Sequence, residues 1–197
     1  MDHGRKQRLR RHLLEVRRAL PPDVAAVSGA ELARRALELA ELADAGTVAA
    51  YVSVGREPST RALLERLHGA GTRVLLPVLL PDNDLDWALY EGAERLVKAG
   101  RGLLEPAGPR LGPEAVTAAD TVLLPGLAVD RHGLRLGRGG GSYDRVLARL
   151  ERAGAHPATV VLLHDGEVLD EVPAEAHDRP VDAAVTPSGV WRFASRE

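Results

Sequence analysis

The chain has 197 residues, 45% of them apolar and 27% charged, with a formal net charge of −2 and no cysteine. That suits one domain, residues 1–197, with a continuous core, and argues against a disordered, collagenous or membrane-spanning chain: the 20 glycines and 13 prolines are scattered, and no apolar run nears the ~20 residues a bilayer requires. The lack of cysteine removes disulfides, thiolate zinc sites and a cysteine nucleophile together, and points to a reducing, cytoplasmic setting.

Charge is uneven. Residues 1–20 carry Arg5, Lys6, Arg8, Arg10, Arg11, Arg17 and Arg18 against Asp2 and Glu15, a local +5 that leaves −7 for the rest. No apolar stretch of ~7–15 residues follows, so an export signal is not expected. Glu15 and the helical register also disfavour a mitochondrial presequence. Leu9, Leu13, Val16 and Leu20 step by four, three and four, one apolar stripe of an amphipathic helix that Pro21-Pro22 ends. Beside it, Lys6, Arg10, Leu13 and Arg17 fall at i, i+4, i+7 and i+11, a cationic ridge expected along a cleft edge.

A second helical pattern runs from about Val24 to Leu42, with Gly46 as a stop signal. Short apolar runs follow: Val48 to Val54, Arg73 to Leu80, Trp87 to Tyr90, Thr121 to Val129, Thr159 to Leu163 and Ala183 to Thr186. Helices are predicted at Thr60 to His68 and from Tyr143 to Gly154. Asp82 to Glu94 reads as a small antiparallel excursion, and Gly/Pro-rich Arg101 to Glu114 as irregular. Short apolar strands alternating with helices predict an α/β fold: a mainly parallel sheet flanked by helices on both faces, a three-layer sandwich.

The densest signal lies between Pro125 and Arg145. A strand leads into Gly137-Arg138-Gly139-Gly140-Gly141, which opens a helix at Ser142-Tyr143-Asp144. Glycine lets backbone N–H groups approach an anion, and a helix start adds unpaired N–H groups and positive dipole. Arg135, Arg138 and Arg145 add charge suited to gripping phosphate. No Gly-Lys-Ser/Thr closes a Walker loop, and Ser142 stands where a dinucleotide fingerprint needs its third glycine.

The run PGLAVDRHGLRLGRGGGSYDR resembles the signature of the 5-formyltetrahydrofolate cyclo-ligase (methenyltetrahydrofolate synthetase) family. The likeness extends to Lys6-x-x-Leu9-Arg10, to Glu57 through Thr60, to Leu104-Glu105-Pro106, and to Val172-Pro173, His177-Asp178 and Val181-Asp182. It implies a ligase that uses ATP and Mg²⁺ to close 5-formyltetrahydrofolate to 5,10-methenyltetrahydrofolate, releasing ADP and phosphate. It further implies that ATP meets Lys6, Arg10 and the loop from Arg135 through Gly137, Arg138, Gly139, Gly140, Gly141, Ser142 and Tyr143. Folate is expected at Val54, Glu57, Ser59 and Tyr143, Mg²⁺ at Asp144 and Asp178, and the catalytic groups are Arg138, Tyr143 and Asp144. Phosphoryl transfer rests on positioning and charge neutralisation, so no protein nucleophile is required.

Three positions depart from the family pattern: Ser59 stands for an acid, Ser142 for a tyrosine and Glu167 for a glutamine. A short, neutral Ser59 predicts weaker folate binding, with Ser59→Glu improving it unless Glu57 already serves the pterin. Two other functions are weighed: a related ATP-binding protein acting on a different formamide or carboxylate, and RNA binding through the first helix. The otherwise acidic, aromatic-poor chain argues against RNA. A monomer with a small-molecule substrate and no nucleic-acid or membrane partner is expected.

Overall fold

Apolar runs become interior strands when both of their faces can be buried, and here alternate residues of each run face opposite cores. The structure, a computed structural model, describes residues 2–176 and 178–193. In chain order the first half comprises helices α1 (Asp2–Ala19), α2 (Val24–Ala36) and α3 (Ala40–Ala43), strand β1 (Thr47–Ala49), helix α4 (Arg61–Gly69) and strands β2 (Arg73–Leu79), β3 (Leu85–Leu89), β4 (Leu96–Lys98) and β5 (Leu104–Pro106). The second half comprises β6 (Thr121–Pro125), β7 (Ala128–Asp130), β8 (Arg135–Leu136), α5 (Ser142–Arg152), β9 (Ala158–Leu162), β10 (Val168–Leu169), β11 (Ala183–Thr186) and β12 (Gly189–Arg192).

Seven strands form one sheet in the order β12-β11-β9-β6-β1-β2-β3. The five inner strands are parallel, and β3 and β12 close the two edges antiparallel. On one face Val48, Val74, Leu76, Leu123, Val160 and Leu162 pack with Leu32, Leu42, Leu63 and Leu67 of the helices α2 to α4. On the other, Ala49, Leu75, Val122, Leu124 and Val161 pack with Val146 and Leu150 of α5. This is the predicted mainly parallel, two-faced sheet, with the antiparallel excursion realised as β3.

Several boundaries differ from expectation. The helical pattern of 24–42 breaks after Ala36, because Leu39 turns extended to bury its side chain, and α3 restarts behind it. The run Thr121 to Val129 divides at Gly126-Leu127. Its first part pairs with β9, whereas β7 joins a separate sheet in the order β10-β7-β8. Arg101 to Glu114 is not wholly irregular, since β5 lies in it and pairs with β4. Glu105 stitches that hairpin to the main sheet by accepting the Leu79 N–H at 3.1 Å.

Helix α1 packs on the small sheet, with Leu13 among Leu127, Ala128, Leu136 and Val172. Here the predicted stripe is corrected. Val16 is 46% exposed, while Lys6 and Arg17 are buried at 3% and 2%. The cationic ridge itself faces inward, because the surface beneath it offers carboxylates and carbonyls to Lys6, Arg10 and Arg17 on either side of the apolar cluster that takes Leu13.

Asp130, the acid of the central motif, is buried and organises the turn after β7. Its Oδ1 accepts the N–H groups of His132 and Leu134 at 2.8 and 3.0 Å, and its Oδ2 that of Val172 at 3.2 Å. Asp130→Ala leaves three amides without this partner. It is expected to destabilise the fold by about 3 kcal/mol, measured as a shift in the urea midpoint with unchanged slope.

Candidate active site

The order in which strands are added reverses at the middle of the main sheet: β1 leads outward to β2 on one side, and β6 leads to β9 and β11 on the other. Such a switch point leaves a crevice beyond the carboxyl ends of the strands. A cavity of about 420 Å³ opens there, walled by Tyr51, Val52 and Val54 after β1, Pro77 and Leu79 of β2, and Pro125 and Gly126 at the end of β6.

The opposite wall is the glycine loop and the start of α5, from Gly137 through Gly141 to Ser142, Tyr143 and Asp144. Gly139 and Gly141 have φ of +94° and +77°, a conformation that side chains resist. Gly141 caps α5 without a side-chain oxygen, which leaves the first-turn amides at the cavity wall. Arg10 donates from Nε to the Gly137 carbonyl at 2.9 Å, tying α1 to the loop. Alongside lies a second groove lined by His3, Gln7, Arg10, Arg11, Arg18, Arg138 and Gly139.

Arg135 lies beneath the loop. Its Nη1 donates to the Pro125 carbonyl at 2.9 Å and its Nη2 to Asp144 Oδ1 at 3.1 Å. Burial pulls its pKa down, opposed by the nearby charges of Asp144 and Asp178. Asp178 faces Lys6, whose Nζ lies 2.5 Å from its Oδ2 and 2.9 Å from Glu175 Oε2. Burial opposes the charge on Lys6, but the hydrogen bonds to Asp178 and Glu175 outweigh it and raise the pKa. His177, named with Asp178 in the sequence, lies outside the described residues.

At the other end stands Glu57, 8% exposed. Its Oε2 accepts the Val54 N–H at 2.9 Å, and its Oε1 lies 3.5 Å from Arg138 Nε. Burial raises its pKa, against the Val54 bond and the charges of Arg138 and Arg17. Tyr51 and Tyr143 meet edge to face with centroids 6.5 Å apart, and burial holds both phenols neutral well above their ordinary range.

Of the residues singled out in the sequence, Val54, Glu57, Arg135, Gly137, Arg138, Gly139, Gly140, Gly141, Ser142, Tyr143 and Asp144 are brought to this cavity. Arg10 lies at the neighbouring groove, and Lys6 and Asp178 pair outside the cavity lining. Ser59 is elsewhere. It packs against α2, where a Cβ on Gly29 would come within 3.0 Å of its own Cβ, and it does not line the cavity. Pro58 follows Glu57, and Thr60 is clamped by the Tyr51 carbonyl and Ser53, which turns position 59 away from the crevice. Tyr51, Arg101 and Arg17 were not singled out as site residues. Tyr51 had one signal, its rarity as an aromatic in this chain.

Residues 2–187 match the model of the 5-formyltetrahydrofolate cyclo-ligase family. The chain belongs to that family. It is 43% identical over 192 residues to a 5-formyltetrahydrofolate cyclo-ligase of Mycolicibacterium smegmatis, covering 95% of this chain and 96% of that one. It is 35% identical over 179 residues to the Escherichia coli enzyme of that name, covering 90% and 97%. In structure it is similar to 5,10-methenyltetrahydrofolate synthetase of Aquifex aeolicus, at TM-score 0.80 and 26% identity, over 98% of this chain and 94% of that one.

Within this cyclo-ligase fold, Glu57 holds a charge where burial disfavours it. A carboxyl whose folded pKa lies above its unfolded value, near 4.5, contributes stability below that value and loses it as pH rises through the folded one. Glu57→Gln is therefore expected to raise the melting temperature at pH 7 and leave it nearly unchanged at pH 4. A larger loss at pH 7 than at pH 4 contradicts this.

Proposed function

We propose that this chain is an ATP-dependent ligase that closes 5-formyltetrahydrofolate to 5,10-methenyltetrahydrofolate, releasing ADP and phosphate. The observation that carries the reading is one cavity with two chemically different ends. Glycine-loop amides, Arg135 and Arg138 suit a triphosphate, while buried Glu57 beside the Tyr51–Tyr143 edge suits a flat, N–H-bearing heterocycle. Family membership supplies the substrate class.

The formyl oxygen attacks the γ-phosphorus as the bond to ADP breaks, giving an imidate-type phosphate. The anilino nitrogen then attacks the formyl carbon and loses its proton, and the carbon–oxygen bond breaks to release phosphate. The chain need only orient the reactants and balance charge. Arg138 reaches from the loop toward Glu57 and so spans the two ends. Lys6 uses two of its three donors on Glu175 and Asp178, which leaves one for a phosphate oxygen.

Asp144 lines the cavity and Asp178 pairs with Lys6, and both are carboxylate donors of the type that Mg²⁺ takes. Among the described residues no group of three His, Cys, Asp or Glu side chains assembles a cage, so the ion would be completed by nucleotide oxygens and water. When bound, it would neutralise developing phosphate charge. No helix of the described residues is long and apolar enough to cross a membrane. A cysteine-free chain that consumes ATP suits the cytoplasm. The inward-facing Lys6, Arg10 and Arg17 speak against α1 as an RNA-binding surface.

Mixing the protein with 5-formyltetrahydrofolate and MgATP is expected to yield the methenyl chromophore and ADP in equal amounts. ADP release with a different formamide, and none with this folate, contradicts the reading. Asp144→Asn should keep the fold and lower turnover by about 100-fold, roughly 2.7 kcal/mol of transition-state stabilisation. Glu57→Gln should raise the folate KM about tenfold with the ATP KM unchanged. Ser59→Glu should lower the melting temperature by crowding Gly29 and bring no gain in folate KM.

A further inference from the structure

Beneath the folate end of the cavity runs a buried polar chain that the chemistry above does not use. Arg17, in α1, grips Glu167 with both arms of its fork: Nε donates to Oε1 at 2.7 Å and Nη2 to Oε2 at 2.8 Å. The same Nη2 donates to the Gly126 carbonyl at 2.6 Å, on the cavity floor. Glu167 Oε2 also accepts the His164 N–H at 2.8 Å, and the His164 ring, through Nε2, meets the Arg56 carbonyl at 2.8 Å. Arg17, Glu167 and His164 are 2%, 6% and 6% exposed.

Arg56 precedes Glu57 in the 53–60 loop. At its neck that loop is clipped by Ser53 and Thr60, each donating its backbone N–H to the other's hydroxyl. At its tip it is closed by the Glu57 N–H to the Val54 carbonyl at 3.1 Å and by the Val54 N–H to the Glu57 carboxylate. Gly55, at φ +58°, and half-buried Arg56 form the tip, which hangs from His164. Thr60 holds the neck to the Tyr51 carbonyl and Arg138 meets Glu57 from the glycine loop, while the bond to His164 ties the tip itself to the segment after β9.

We propose that Arg17, Glu167 and His164 form a positioning relay that sets the Glu57 turn against the end of β6, making them determinants of folate binding without touching folate. The proposal rests on the cyclo-ligase reading. It also explains why a full bidentate ion pair is buried where an apolar pair would fill the space. Buried pairs are weak sources of stability, so their use lies in fixing geometry. The Arg17 charge also reaches Glu57, where with Arg138 it opposes the burial of that carboxylate.

The test is steady-state kinetics with both substrates, nucleotide binding measured without folate, and thermal melting. His164→Phe removes the bond to Arg56 and leaves the Arg17–Glu167 pair in place. It is expected to raise the folate KM about tenfold, with nucleotide affinity within twofold of wild type and a small change in melting temperature. His164→Gln, which keeps an N–H within reach of Arg56, should restore most of the loss. The double variant Arg17→Met/Glu167→Leu, which removes both charges together but leaves the Gly126 carbonyl and the His164 N–H unpaired, should melt below wild type and show a raised folate KM with nucleotide affinity kept. The proposal is overturned if folate KM is unchanged in His164→Phe or in the double variant, or if nucleotide affinity falls in parallel. Failure of the wild-type protein to cyclise 5-formyltetrahydrofolate would reject the underlying reading instead.

Discussion

Two consecutive carbonyls at the end of β6 hold the site together. Pro125 accepts from Arg135 and Gly126 from Arg17, and both guanidiniums lie beneath the cavity. A strand ending at a switch point exposes such carbonyls with no further ladder to pair them, and burying one unpaired is costly. Two arginines arriving from different directions solve this. They also carry charge into the floor of the crevice: Arg135 toward Asp144 and the glycine loop, Arg17 toward Glu167 and the Glu57 turn. A Cβ on Gly126 would lie 2.8 Å from the Val161 side chain, so a larger residue there would force the buried strand β9 to give way.

Helix α1 is therefore more than a cover for the small sheet. One row of its side chains, Lys6, Arg10, Leu13 and Arg17, meets in turn the Glu175/Asp178 carboxylates, the Gly137 carbonyl, an apolar cluster and the Glu167/Gly126 pair. The proposed nucleotide and folate ends thus share one helix. In a reaction that depends on holding a γ-phosphorus in line with a formyl oxygen, a shared support limits relative motion of the two substrates.

The central sheet was legible because each inner strand is apolar on both faces, and the glycine loop because its residues serve backbone geometry directly. The small sheet was not legible, since β8 and β10 span two residues each, too few for a period to register. The α1 stripe misled for a different reason. Hydrophobicity treats Arg17 as a surface residue and Val16 as core, and the carboxylate of Glu167, 150 positions away, together with the Gly126 carbonyl reverses that order. Ser59 shows the same limit: alignment with a motif gave its position along the chain, but the Thr60 clamp and Gly29 decide where it points. Glu57, two residues earlier, faces the cavity instead.

The proposed reaction requires ATP and folate to meet in this one crevice. The most direct measurement is a crystal structure with a non-hydrolysable ATP analogue, Mg²⁺ and 5-formyltetrahydrofolate. The predicted result has the terminal phosphate against the Gly137–Gly141 amides and Arg135, and the pterin between Glu57 and the Tyr51–Tyr143 edge. Well-occupied density for either ligand outside the cavity, with Glu57 and the loop untouched, would contradict it.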